Sequence, residues 1–333
     1  MALTRREFTK LALTATPALG VLGIPLPSEA WGQDRPNSRF GGVQIGAITY
    51  SFRSMPDQSG EATLKYVLDS GISAIELMGD PAEMFAGRPA PQRGGGAGPR
   101  GGRGVQRTPE EIAAQRAAQE AAQAELKAWR LSVSMDRFKA FRKMYNDAGV
   151  SIYAVKILSP TMSDEEYEYV FNVAEALGCT HTTLELPTDD AQLKRIGEFA
   201  VKRKIYAAYH THLQGTMTAF DRAFEISPGN MANVDLGHYV AGGNVGGTTL
   251  EFLQKHHARI SSVHLKDRKS KENGGANVAW GTGDTPIREI LQLMKARRWT
   301  FPATVELEYP IPEGSNAVAE TRRCVDYCAA ALR

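Results

Sequence analysis

The chain has little cysteine, three residues in 333. Cys179, Cys324 and Cys328 fit no zinc spacing and leave one thiol unpaired, so a disulfide-stapled fold is not expected. Cys324 and Cys328 stand one helical turn apart and read as small buried hydrophobes. A dominant charge is also lacking. The 39 Lys and Arg against 37 Asp and Glu leave a formal net charge of +2, too little to hold a nucleic-acid partner by bulk electrostatics. Outside the N-terminus no apolar run approaches the roughly 20 residues of a membrane-spanning helix. Nor is there a glycine-rich turn after the first strand-like run, "VQIGAITYS", where a dinucleotide-binding doubly wound sheet would need one.

The N-terminus carries "TRREFTK", with Arg5 and Arg6 ahead of Phe8 and Lys10. A moderately apolar stretch follows, and then "SEA", with small residues at Ser28 and Ala30. This pattern resembles a twin-arginine signal peptide. It predicts an exported, periplasmic or secreted protein and removes residues 1–30 from the fold. The twin-arginine route carries folded proteins, so the resemblance implies that a metal can be loaded before export.

Beyond it, short β-rich runs alternate with longer amphipathic ones. About eight strands are expected: "VQIGAITYS", "AIELMG", "IYAVKIL", "HTTLELP", "YAAYHTH", "NVDLGHY", "SSVHLKD" and "ATVELEYP". Helical patterns lie between them, including Asp164–Leu177, Asp190–Arg203 and Ala317–Leu332. Eight such units predict an α/β fold, a single (β/α)8 TIM barrel over 40–333. One insertion, Phe85–Arg107, is dominated by Gly, Pro and Arg and cannot bury a core. The next segment opens with Thr108 as N-cap and Pro109 at the first helical position, and predicts a long helix. Loop and helix follow the second strand on the side where barrel active sites sit, as a wall or lid.

Chemistry-bearing residues recur at the C-terminal ends of the later strands. Glu185 closes the fourth, and His210 and His212 the fifth. Asp235 and His238 lie in the sixth, His264, Lys266 and Asp267 in the seventh, Glu306 and Glu308 in the eighth. Residues i and i+2 of a strand face one way, so His210 and His212 should point together into the mouth. Each residue alone has a structural use, as a helix cap, core histidine or ion pair. Together, buried carboxylates and imidazoles on neighbouring strand ends need charge compensation. One divalent cation supplies it, with Mn²⁺ preferred and Mg²⁺ or Zn²⁺ as alternatives.

The motifs "YHTH", "VDLGHY", "VHLKDR" with "AWGTGD", and "VELEYP" resemble, in this combination and order, the xylose isomerase-like barrel superfamily. This is the sugar phosphate isomerase/epimerase group, and the likeness is to its exported members and to inosose dehydratase. It covers about Gly42 to the C-terminus. It implies metal ligands at Asp235, His264 and Glu306. The family's first ligand is usually a glutamate in an "ENH"-like stretch. Here His210 falls in that place, and Glu185, one strand earlier, is taken as the fourth ligand, with His210 as the competing choice. With Glu185 on the metal, His210, His212, His238 and Lys266 are expected to handle protons and hydroxyls of a sugar. Glu76, Trp280 and Glu308 are expected to touch substrate.

The expected function is metal-dependent isomerisation or epimerisation of a free sugar or keto-sugar, by proton abstraction α to a carbonyl. A lyase of the same superfamily, an inosose-type dehydratase or 3-keto-glycoside β-eliminase, shares that first step. A non-catalytic exported sugar-binding protein is the reading from another class. The expected partner is a small carbohydrate. No nucleic acid and no membrane span are expected, and a homo-oligomer is allowed.

Overall fold

A computed structural model describes residues 35–89 and 108–333. The signal-like segment and most of the insertion lie outside the described residues. Eight parallel strands follow in chain order: β1 (Val43–Ile48), β2 (Ala74–Met78), β3 (Ser151–Lys156), β4 (His181–Glu185), β5 (Tyr206–His210), β6 (Asn230–Asp235), β7 (Ile260–Leu265) and β8 (Ala303–Val305). Each pairs with the next, and β8 pairs back onto β1, with Ile45 opposite Ala303, so the sheet closes into a (β/α)8 barrel. A two-residue strand, Arg39–Phe40, pairs antiparallel to β1.

Between the strands run α1 (Gly60–Asp69), α2 (Gly79–Phe85), α3 (Pro109–Ser132), α4 (Met135–Asp147), α5 (Asp164–Leu177), α6 (Asp190–Arg203), α7 (Asp221–Ile226), α8 (Leu236–Ala241), α9 (Thr249–His256), α10 (Ile287–Arg297) and α11 (Ala317–Ala331). Their starts follow from local chemistry. The Thr108 hydroxyl accepts from the backbone of Glu111, whose carboxylate returns to the Thr108 amide, with Pro109 at the first turn. Ser163 and Glu166 form the same reciprocal cap on α5. The α3 helix buries no residue of its own. Its C-terminal end is tied down by Arg130, which donates to the buried Glu83 at 2.9 Å, and by Trp129 edge-on to Tyr169.

Phe85 and Ala86, assigned to the insertion by composition, belong to the fold. The Phe85 ring packs edge-on against Phe141 at 5.4 Å, and Ala86 is buried. The Gly- and Arg-rich tract masks this because it begins only a few residues later, and a single aromatic at its edge carries the packing.

Side chains that bond across the barrel define its interior. Tyr153 on β3 reaches Thr304 on β8 at 2.8 Å, and His181 on β4 reaches Ser262 on β7 at 3.0 Å. Gly46 on β1 makes room for this layer, since a Cβ there would lie 2.6 Å from the Tyr153 hydroxyl. The layer above is polar too, and it supports the site. The apolar core lies between the barrel and its helices, with Tyr145, Tyr167, Phe171 and Phe252 among its largest members. Among the described residues no helix is long and apolar enough to cross a membrane. The three cysteines are free and buried, as expected of small hydrophobes.

Candidate metal centre

Register sets the level of the site. Asp235 on β6 lies opposite His264 on β7, and Glu185 on β4 opposite His210 on β5. At this end of the barrel His210, Asp235, His264 and Glu306 each turn a ligand atom inward, all within 4.8 Å of one another and all buried. Three of these were expected as ligands. The fourth member of this group is His210, the competing choice, and Glu185 is not among the four. Glu185 is about half exposed (51%). Its carboxylate accepts from Lys156 Nζ at 2.8 Å and lies 3.5 Å from His212 Nε2. A residue at the last position of a strand can turn up to the rim, and the ammonium at the end of β3 holds it there.

At His210 the electrostatics suit a cation, whereas at His264 an ion must displace a proton. Burial keeps His210 well below the ordinary histidine range, with the neighbouring His264 adding to the effect, so its imidazole is neutral and a lone pair is available. Its Nδ1 is buried with no hydrogen-bond partner, which is costly unless something accepts that atom. Burial opposes a charge on His264, but Glu76 and Glu306 outweigh it and push the imidazole up to about 10. Burial also raises Asp235, to about 6, against the pull of Lys266. Glu306 is held well below the usual carboxylate range; burial opposes this, and His264 and Lys266 overcome it.

Glu76 lies beneath the site and not in it. It is fully buried, and its carboxylate accepts from His264 Nε2 at 2.7 Å, Thr183 Oγ1 at 2.7 Å and Asn233 Nδ2 at 3.0 Å. These bonds leave it no access to a substrate, contrary to the expectation from its place on β2. They fix the ring of His264 so that Nδ1, 2.7 Å from Glu306 Oε2, faces the group. A carboxylate behind a ligating histidine sets its tautomer and basicity. Glu76→Gln is therefore expected to weaken divalent-metal affinity about 10–100-fold. Calorimetric titration with Mn²⁺ measures this, and an unchanged affinity would make Glu76 a packing residue only.

Around the four donors stand the remaining expected residues. His212 lies just past the end of β5, with 55% of its side chain exposed. Its ring is edge-on to His210 at 5.1 Å and stacked on His238 at 4.8 Å. The backbone amide of His238 caps onto Asp235 Oδ1 at 2.7 Å, and its Nδ1 accepts from Arg268. That bond requires a neutral ring with its proton on Nε2, and Nε2 lies 3.9 Å from Glu308. Burial and the nearby Lys266 and Arg268 push the ring down to about 2, in agreement. Lys266 Nζ contacts Asp235, Glu306 and Glu308. Trp280 is placed edge-on to Tyr327 of α11 at 5.8 Å, packed on the core.

Lys156, Thr183, Asn233 and Arg268 also bond to these residues and were not among those expected. The alternation of strand residues carries a signal for two of them. Thr183 and Asn233 stand two before Glu185 and Asp235, on the same inward face.

Solved structures share this (β/α)8 fold, xylose isomerase domain proteins among them. Similar solved structures include the probable 3-DHS dehydratase of Bacillus anthracis, at 15% identity and a TM-score of 0.55 over 85% of this chain and 98% of that one. The xylose isomerase domain protein of Planctomyces limnophilus matches at 13% identity and 0.56, over 89% and 98%. The 3-keto-D-glucoside 4-epimerase of E. coli matches at 11% identity and 0.55, over 86% and 99%. No family model and no curated protein matches the chain.

Proposed function

We propose that this chain is a divalent-metal-dependent enzyme that moves a proton at a carbon α to the carbonyl of a free carbohydrate, as an isomerase or epimerase. The observation that carries the reading is the buried set His210, Asp235, His264 and Glu306, in which His210 Nδ1 has no other partner. These four would hold the ion, which when bound polarises the substrate carbonyl. Two imidazoles with two carboxylates favour Mn²⁺, and favour Zn²⁺ over Mg²⁺ as the alternative.

The other roles follow from position. His212 is the exposed imidazole beside the donors and serves as the proton acceptor. His238 offers its Nε2 proton to a substrate oxygen. The lysines at the strand ends, Lys156 and Lys266, already rest on carboxylates, which supports a neutral polyol over a phosphorylated one. The twin-arginine-like N-terminus, read as an export signal, agrees with a free sugar as substrate. The stacked His212–His238 pair also favours a second reading, elimination. There His212 takes the α-proton, the β-hydroxyl leaves as water with that proton, and His238 steadies the departing oxygen.

Protein purified without chelator is expected to carry about one divalent ion per chain, read by elemental analysis. The loaded protein is then incubated in D₂O with free sugars, inososes and 3-keto-glycosides and followed by NMR. Deuterium at the α-carbon with the formula otherwise unchanged supports the isomerase reading, and loss of water supports the lyase. Protein with no ion and no uptake of Mn²⁺ or Zn²⁺ overturns the metal reading. A loaded protein that exchanges no substrate proton leaves a sugar-binding protein.

A further inference from the structure

Lys266 has an unusual position. Its side chain is 2% exposed, and its ammonium lies 2.9 Å from Asp235 Oδ2, 3.0 Å from Glu306 Oε2 and 2.6 Å from Glu308 Oε2. Asp235 and Glu306 belong to the four-donor group, and Glu308 does not. The start of the aliphatic stem is clamped. A Cβ on Gly237 of α8 would lie 2.4 Å from Lys266 Cγ, so only glycine lets the helix pass there. The end of the stem keeps its rotatable bonds. A divalent ion on Asp235 and Glu306 would share both carboxylates with a second cation in a buried site, where like charges repel strongly.

We propose that Lys266 is an internal counter-cation that competes with the metal, and that metal entry drives its ammonium onto Glu308 alone. The inference rests on the metal reading above and goes beyond it. The ammonium neutralises Asp235 and Glu306 in the metal-free protein and sets metal affinity below what the four donors alone would give. Glu308 receives the displaced charge on the side where His238 Nε2 stands, 3.9 Å away. Metal loading therefore places the Lys266–Glu308 pair next to the residues that meet substrate, and a loaded site differs from an empty one in the position of a charge as well as in the ion.

The test is calorimetric titration of chelator-treated parent, Lys266→Met, Glu308→Gln and the double variant with Mn²⁺ alone, at one pH. Lys266→Met is expected to bind at least about ten-fold more tightly, the scale of removing one nearby like charge. Glu308→Gln should bind more weakly, because the ammonium loses its alternative partner. In the double variant the Glu308 effect should vanish, since no ammonium remains to be held. Lys266→Met affinity equal to or below the parent's overturns the proposal. So does a Glu308→Gln loss that persists without Lys266, which would make Glu308 act on the ion directly. Should Lys266→Met not fold, Glu308→Gln alone decides, and unchanged affinity overturns the idea. A parent that binds no metal overturns the metal reading together with this one, and that result is distinct from a parent that binds normally beside an unaltered Lys266→Met.

Discussion

Asp235→Asn is expected to leave a folded barrel that no longer retains a divalent ion and turns over on the order of a thousand-fold more slowly, since a bound cation supplies several kcal/mol of charge stabilisation in such reactions. The substitution is nearly isosteric. The amide oxygen can still cap the His238 N–H at the start of α8, the contact now made by Asp235 Oδ1. What goes is the negative charge, one of two carboxylates in the set of four. The new amide nitrogen also faces the Lys266 ammonium, which lies 2.9 Å from Asp235 Oδ2. Elemental analysis and circular dichroism on the same sample separate the outcomes. An asparagine variant with its full complement of metal would show that Asp235 is a helix cap and ion-pair partner, and that the ion sits elsewhere. An unfolded variant would show that the charge paired with Lys266 holds the barrel together, which the retained cap cannot replace.

Much of this site was legible because strand ends in a barrel converge. Asp235, His264 and Glu306 each follow an apolar β-run, and closure of the sheet brings runs that are far apart in sequence to one level. Helix limits were legible for local reasons. The Thr108 and Ser163 caps and the acidic first turns are written within four residues of sequence. Depth along a strand was not legible. Glu76 and Glu306 look alike as single acidic residues in apolar runs, yet Glu76 lies beneath the imidazole that Glu306 meets from the other side. Glu185 also reads as an inward carboxylate, but Lys156 on the neighbouring strand draws it to the rim. That pairing depends on which strand lies beside which and on where each one stops, which only the closed sheet determines. His238 was expected to handle protons, but its tautomer was hidden for a similar reason. Its neutral, donating tautomer is fixed by Arg268, a residue from the loop after the next strand.

His212→Ala is expected to keep the metal and lose about a hundred-fold in turnover, the scale of a general base. His210 is buried, belongs to the four-donor group and has an unpartnered Nδ1, so on the metal reading proposed above it holds the ion. His212 follows two residues later, past the end of β5, and is more than half exposed at the mouth. Its ring stacks on His238 at 4.8 Å and lies 5.1 Å from that of His210. It therefore stands where a substrate bound at the donor group would pass, and it is not spent on holding the ion. Glu185, 3.5 Å from its Nε2, orients it from the rim. Glu185→Gln should therefore lower turnover by less than His212→Ala, with metal content unchanged. Exchange of the substrate α-proton in D₂O reads the step directly. Exchange in His212→Ala as fast as in the parent would make His212 a wall of the mouth and pass the base role to another group. Loss of metal in His212→Ala would instead join the two imidazoles of "YHTH" in one coordination shell, and a loss of metal in Glu185→Gln would return the rim carboxylate to the ligand set.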